Sequence, residues 1–550
     1  MQSIERLHQH LGPLKEVGLV IGETRPLNFA FSVKPELNDD VPVWEYVITP
    51  LNRGIVVAQI QSASSFSSLL KRELEFSVIS KLANIGVEEL KHLREARVIA
   101  YIEDLEEFLN DKAVEVTYRP RYAVHPTSPV FLAPDLLLER LYIGRGKTIY
   151  VGNLVTRQNV RVHFSMRGFV RHVAIIAQTG AGKSYLAGVL IEELLKQGAT
   201  IIVLDPHADH VKLTIPNNRW SETLANKVKV FSALKEHKRY GDVRNLKHIF
   251  VRLNDLEPDE LFYVAGIYES YVQIRGVVLD AMKMLRDKKI EVTIESLLKE
   301  LENRLKTQDL KGRDRETVGR AINYLRKLEG LIVFSDRTTL VMEELLKPQQ
   351  VSIIDLSDIT DKEADFIAYL ILKKLIEVKV EGKPYLYPFP VFIIVEEIHR
   401  FAPRESETLS LPLLKRIAAE GRKFGLFLVA ISQRPFKVHP DVLSQCNSQI
   451  IMRITNPVDQ KAVLDASERL SEYLFEDLPG LNRGEAIVVG EIVSLPTIIK
   501  VKPRATLEGG ADIDVDGLLD VALKMVEEEE RERRQANEDW RKFREQSEPK

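Results

Sequence analysis

Apolar positions along the chain fall into two textures. From about residue 170 they come in short unbroken runs: His172–Ala177, Thr200–Leu204, Val228–Phe231, Ile249–Leu253, Val351–Leu356, Val391–Val395, Leu426–Ile431 and Gln449–Arg453. Runs of this kind, lacking polar alternation, mark strands buried on both faces of a mainly parallel sheet. Amphipathic helical stretches lie between them, so the pattern predicts an α/β core. The first ~145 residues read differently, as short strands broken by turn formers. Val41–Pro50, Gly54–Gln61, Val98–Ile102 and Ala113–Tyr118 are rich in β-branched and aromatic residues, and Pro120, Pro126, Pro129 and Pro134 punctuate the stretch beyond them. A small β-barrel or sandwich is expected there, interrupted by helical patches near Phe66–Lys81 and Val87–Leu93.

Between Asp255 and Gln350 the α/β rhythm stops. Leu261–Leu285, Ile294–Leu305 and Arg315–Leu328 carry helical spacing with many charges, which predicts an insertion of three or four helices. Asp516–Lys550 is also helical, and its mixed-charge run suits a solvated helix or, alternatively, a partner-binding one. The divisions expected are 1–150 for the β-rich domain, 151–254 and 351–505 for two parts of the core, 255–350 for the insertion and 506–550 for the extension.

Composition changes the picture only in places. With 550 residues, 45% of them hydrophobic, the chain is long enough for three or four domains with substantial cores. The 77 Lys and Arg nearly balance 80 Asp and Glu, for a net charge of −3. That balance argues against a polybasic coat, so any nucleic-acid contact must concentrate its positive charge locally. Cys446 is the one cysteine, which excludes an intramolecular disulfide framework and any zinc site built on several cysteines. The Met1 end lacks the apolar h-region of a secretory signal, and no apolar run approaches the ~18–20 residues that span a bilayer. A soluble chain of the cytoplasm, without membrane contact, is the expectation.

The strongest chemical signal is Ala177-Gln-Thr-Gly180-Ala181-Gly182-Lys183-Ser184, directly after the run RHVAII and opening the helical SYLAGVLIEELLKQG. A P-loop needs glycines so that backbone N–H groups can turn onto a β-phosphate. It needs a lysine at the β/γ-oxygens and a hydroxyl for Mg²⁺, all at a helix N-terminus whose dipole favours anions. Gly180, Ala181, Gly182, Lys183, Ser184 and Tyr185 are therefore the candidate nucleotide cradle, with Ala177 where a first glycine is usual. Hydrolysis also needs a carboxylate near Mg²⁺ and a group that orients the attacking water. Val391–Val395 ends in Glu396-Glu397, at the strand edge where ligands of α/β sheets bind. Glu396 is assigned to the Mg²⁺ side with Ser184, and Glu397 as the base polarising water; the bland alternative is an acidic strand end capping the next helix.

The run LFLVAI ends in Ser432-Gln433-Arg434-Pro435, making Gln433 a candidate γ-phosphate sensor, or else part of a strand-ending turn. Upstream, the segment Arg416-Ile-Ala-Ala-Glu-Gly421-Arg422-Lys423-Phe-Gly425 puts an arginine near the end of a helix, before that strand. It is placed either to reach a neighbouring copy's nucleotide, as an arginine that neutralises developing charge, or to make a surface salt bridge.

Taken in this order, the P-loop, the DPHADH segment (Asp205–His210), the VEEIHRFAP box, EGRKFGLFLVAISQRP and the late RGEAIVVG strand resemble the HerA–FtsK superfamily of ring-forming DNA translocases, and the archaeal HerA type within it. The likeness extends over most of the chain. It implies a RecA-like P-loop ATPase core, with residues 1–150 similar to the family's HAS barrel and 255–350 to its helical insertion. It implies ATP and Mg²⁺ as cofactors and a homohexamer with sites between subunits. It further implies double-stranded DNA in a central channel, and a NurA-type nuclease as partner in DNA-end resection and double-strand-break repair. Arg422 fits the family's trans-acting arginine. Asp205 and His207 fall in a box that the family places beside the nucleotide or the DNA-facing loop, and His399 is read as a helix-start or coupling residue rather than a metal ligand. Two other classes remain open: a secretion- or conjugation-type hexameric ATPase, whose members usually carry membrane anchors, and an ATP-dependent clamp that loads a nuclease.

Overall fold

Alternation of apolar and polar residues in Asn28–Val33 puts Phe29, Phe31 and Val33 inward, and this period of two closes the N-terminal strands on themselves. The chain is described by a computed structural model for all residues except 1–7, 52–53, 68–89, 111–119, 145, 233–242, 307–311, 330–333, 335–341, 382–386, 468–471, 510–514 and 548–550. β1 (Glu16–Arg25), β2 (Asn28–Val33), β3 (Tyr46–Leu51), β4 (Gly54–Ser67), β5 (Leu90–Ile102) and β6 (Pro129–Leu132) form a closed antiparallel barrel in the order β1-β2-β5-β4-β3-β6. Val17, Phe31, Val47, Val56, Ile60 and Val130 fill it. Gly54 is required where β4 meets β5, because a Cβ there would lie 2.1 Å from the Ile102 carbonyl oxygen.

The remaining strands form one twelve-stranded sheet. They are β7 (Thr148–Leu154), β8 (Arg161–Ser165), β9 (Val173–Ile176), β10 (Thr200–Asp205), β11 (Val228–Ser232), β12 (Leu246–His248), β13 (Gln350–Asp355), β14 (Val391–Val395), β15 (Leu426–Ser432), β16 (Ser448–Ile451), β17 (Glu485–Val489) and β18 (Thr497–Val501), in the order β12-β11-β13-β10-β14-β15-β9-β16-β17-β18-β7-β8. Strands β12 to β16 in that order are parallel. β17, β18, β7 and β8 continue the sheet antiparallel. Every residue of β9, β10, β13 and β14 is buried, as their unbroken apolar runs require. Helix α1 (Lys183–Lys196) covers one face with Leu186, Leu190 and Leu194.

Four helices, α2 (Pro258–Ala265), α3 (Val272–Asp287), α4 (Ile294–Lys306) and α5 (Arg313–Arg326), follow β12. α6 (Asp361–Ile376) packs Phe366, Ile367 and Ile371 onto the other face of the sheet. The inserted helices dock on it, through Tyr263 Oη donating to Asp365 Oδ2 at 2.7 Å and Tyr369 Oη donating to Glu260 Oε1 at 2.7 Å. α7 (Ser410–Glu420) precedes β15, and α8 (Val515–Ser547) ends the described chain. The barrel is tied to the sheet by Trp44 Nε1 donating to Asp477 Oδ2 at 2.7 Å and by Tyr46 Oη against Thr497 Oγ1 at 3.1 Å.

Several local expectations change. Ile249–Leu253 is not a strand; β12 lies just before it, and within it only Val251 makes a bridge, to Phe334. Val41–Glu45 precedes β3 as turn and loop, since Pro42 lacks the N–H a strand would use. In Val87–Leu93, Leu90–Leu93 begin strand β5, because pairing with β4 and β2 overrides their helical spacing. Leu261–Leu285 is two helices, since Gly266 at φ +75° ends α2 in a left-handed cap. Ala113–Tyr118 and Ser68–Lys81 lie outside the described residues. Among the described residues no helix is long and apolar enough to cross a membrane.

Candidate nucleotide site

Parallel strands deliver their C-terminal ends to one sheet edge, and there β14, β15 and β9 lie side by side. The turn after β9 carries Gly180 at φ +79° and Gly182 at φ +107°, conformations that L side chains rarely adopt. Space is a second constraint at Gly182, where a Cβ would meet Met452 Cε at 3.3 Å. Lys183 and Ser184 open α1, so its unpaired N–H groups and positive dipole end face the turn. Ala177, in place of the usual glycine, is fully buried and its N–H donates to the Ser432 carbonyl at 3.3 Å.

The acidic pair after β14 converges on the P-loop lysine. Lys183 Nζ donates to Glu396 Oε2 at 3.1 Å and to Glu397 Oε1. Burial works against the Lys183 ammonium, but the two carboxylates outweigh it and hold its pKa above the ordinary lysine value. Burial likewise works against ionised Glu396, which is 1% exposed, yet Lys183 and His210 bring its pKa down to about 2. Glu397 sits at φ 47°, ψ 50°, a left-handed backbone that costs a non-glycine residue on the order of 1–2 kcal/mol. This strained turn aims Glu397 Oε2 at the β15 end, where it accepts from Gln433 N at 3.4 Å and approaches His399 Nδ1 at 3.3 Å.

Gln433 joins the same edge. Thr179 of the P-loop donates its hydroxyl to Gln433 Oε1 at 2.6 Å. His399 Nδ1 lies 3.2 Å from Ser432 Oγ, and burial lowers its pKa. Lys183, Ser184, Glu396, Glu397 and Gln433 are thus brought together within one chain. Tyr185 belongs to the next turn of the wall: its hydroxyl accepts from Arg504 N at 2.7 Å. Arg422 is elsewhere, exposed on the turn before β15, at the opposite edge of the sheet.

The turn after β10 supplies groups that spacing alone did not single out. Asp205 is fully buried and knots this turn, its Oδ2 accepting from His210 N at 2.9 Å and its Oδ1 from Asp209 N at 3.1 Å and His207 N at 3.3 Å. Burial raises the Asp205 pKa to about 6. The knot exposes His207 and presents two neighbours to the site. His210 Nε2 lies 2.9 Å from Glu396 Oε1, and Ser184 Oγ donates to Asp209 Oδ2 at 2.6 Å. Both oxygens of Glu396 are therefore engaged by Lys183 and His210, while the Ser184 hydroxyl is met by Asp209. The signal for Asp209 and His210 was present in DPHADH, as polar residues just past a buried strand, but which of them turns inward is set by the Asp205 knot.

Residues 149–375 match the family model described as the central domain of helicase HerA. The chain is 30% identical to the DNA double-strand break repair helicase HerA of Pyrococcus furiosus, over 92% of this chain and 96% of that protein. It belongs to the HerA family. A probable helicase of Methanocaldococcus jannaschii is also 30% identical, over 91% of this chain and 93% of its own length. A distant likeness joins it to VirB4 of Thermoanaerobacter pseudethanolicus, with a TM-score of 0.46 and 15% identity, over 66% of this chain and 98% of that one. HerA membership makes the chain an ATP-hydrolysing helicase or translocase, with a RecA-like core, an N-terminal barrel and a helical insertion.

Proposed function

We propose that this HerA chain is a homohexameric, ATP-driven translocase of double-stranded DNA that works with a NurA-type nuclease in DNA-end resection and break repair. The observation that carries the reading is the separation of the site's parts. Phosphate cradle and acids share one sheet edge, whereas Arg422 is at the other, about 20 Å away along seven-residue β15. No hydrogen bond or ion pair is made by the Arg422 side chain among the described residues, and it faces solvent. An arginine so placed cannot serve its own nucleotide and suits a neighbour's in a ring.

The site fits ATP with Mg²⁺. Its prospective metal donors are oxygens, as a hard cation requires, and the turn that forms the cradle needs the positive φ of Gly180 and Gly182. Bound Mg²⁺ supplies charge neutralisation and polarises the γ-phosphoryl group. Lys183 has three N–H donors, two of them on Glu396 and Glu397, leaving one for a phosphate oxygen. Glu397 orients the attacking water and takes its proton. Gln433, bonded to Thr179, senses the γ-phosphate and moves the adjoining segment. That segment carries exposed Arg434 and Lys437, with His439 and with Arg404 stacked 5.0 Å over Phe436. These charges sit where they can grip backbone phosphate without reading bases, which suits a motor that slides.

The test is ATP turnover with linear duplex DNA, together with displacement of a protein roadblock. DNA-stimulated turnover with directional displacement is expected. Turnover without displacement favours the nuclease-loading clamp, and stimulation by protein or single strands alone favours a secretion- or conjugation-type motor.

A further inference from the structure

We propose that Asp209, rather than Glu396, is the carboxylate that orients the metal shell at this nucleotide site. The inference rests on the ATP·Mg²⁺ reading above and adds a residue to it. A serine hydroxyl that ligates a cation does so through a lone pair, so its single proton must point away onto an acceptor. In this chain that acceptor is Asp209, whose Oδ2 takes the Ser184 proton at 2.6 Å, the length of a strong O–H···O⁻ bond.

Glu396 is poorly placed for the task. It is 1% exposed, its Oε2 holds Lys183 at 3.1 Å, and its Oε1 meets His210 at 2.9 Å. Turning either oxygen toward a hydrated cation would strand a buried partner. Asp209 is only partly buried, and its Oδ1 takes no hydrogen bond among the described residues. Mg²⁺ keeps several waters in nucleotide sites and is held by one or two carboxylates, so one oxygen open to a bound water is the fitting arrangement.

The Asp209 backbone is held from two sides. Its N–H donates to Asp205 Oδ1 at 3.1 Å, and its carbonyl accepts from Gly509 N at 3.0 Å. Gly509 comes this close because it has no side chain; a Cβ there would lie 2.3 Å from the Ala208 oxygen. The strap that carries Gly509 is anchored to α1, where Glu192 Oε1 accepts from Thr506 N at 2.8 Å. Glu396 then acts as a positioning residue, holding Lys183 and His210 in register.

The test is binding of a non-hydrolysed ATP analogue to the full chain, by calorimetry, in Mg²⁺ and in EDTA. Asp209→Asn should bind as the parent does in EDTA, which also shows that it folds, and should lose about 10–100-fold of the Mg²⁺-dependent tightening. With Mn²⁺ as probe, its electron spin resonance in the nucleotide complex should change in Asp209→Asn and not in Glu396→Gln. Full retention of the metal-dependent gain in Asp209→Asn would overturn the proposal, as would loss of that gain in Glu396→Gln alone. No analogue binding by the parent in either condition would overturn the nucleotide-site reading itself, and this proposal with it.

Discussion

The two edges of the parallel sheet use charge in opposite ways. At the C-terminal edge Lys183, Glu396, Glu397 and His210 are buried against one another, with a strained backbone at Glu397 aiming its carboxylate at the end of β15. At the N-terminal edge Arg422 is exposed, and beneath it His172 is buried and kept neutral. One edge spends its charges on internal partners, and the other offers its charge outward. If a nucleotide is shared between copies, this asymmetry is what each copy must bring: a rigid receiving face and a free donating one. The chain's −3 balance fits the same division, because only a few outward cations need be reserved for partners and phosphate.

The sharpest way to break the comparison is to remove one cation from each edge. Arg422→Ala should lower ATP turnover by about 10³–10⁵-fold while shifting stability by no more than about 0.5 kcal/mol. Lys183→Ala should abolish turnover and also cost about 3–5 kcal/mol, because it leaves two buried carboxylates without their counter-charge. Steady-state ATPase assays with denaturant unfolding check both. Equal destabilisation by the two variants would erase the distinction.

Acid separates the edges next. Burial lowers the His172 pKa from 6.5 to about 4, and its Nδ1 accepts from Leu428 N at 2.9 Å. The unfolded chain takes up this proton first, so about 3 kcal/mol of stability is lost as pH falls from 6.5 to about 4. Glu396 behaves as a depressed acid: its contribution is present above the unfolded value of 4.5 and is lost as pH falls toward about 2. The pH dependence of the unfolding midpoint should therefore hold two acid-destabilising contributions, the upper one opposed by Asp205, whose raised pKa of about 6 adds stability as pH falls. His172→Asn, which tolerates the φ of +59°, should remove the upper one alone.

The smallest effects come from two helical glycines. In α1, a Cβ on Gly188 would meet Arg504 Cζ at 2.4 Å, so Gly188→Ala should cost about 1–3 kcal/mol. Gly276 in α3 has open space around it, and Gly276→Ala should stabilise by about 0.5–1 kcal/mol. Thermal unfolding of the two variants checks the contrast between a helix wedged at the site and one in the insertion.

Much of this asymmetry was legible in the residues. Unbroken runs such as VFIIV and LFLVAI announced strands buried on both faces, and polar residues at their ends marked the edge where Glu397 and Gln433 lie. What stayed hidden depends on contacts distant in sequence. The strands β7, β8 and β18 carry no pattern of their own strong enough to show that they extend the sheet antiparallel. Likewise, DPHADH contains two aspartates and two histidines, and only the Asp205 knot decides that Asp209 and His210 face the P-loop while His207 faces solvent. The opposite placement of Arg422 needed only its position before β15, whereas its exposure needed the fold.

The most direct measurement mixes Arg422→Ala copies with Glu397→Gln copies, each inactive alone, and follows DNA-stimulated ATP turnover across ratios. Sites shared between copies require recovery that peaks at intermediate ratios, because a neighbouring pair can then combine an intact Glu397 with an intact Arg422. No recovery at any ratio, in rings verified to contain both copies, would contradict the account.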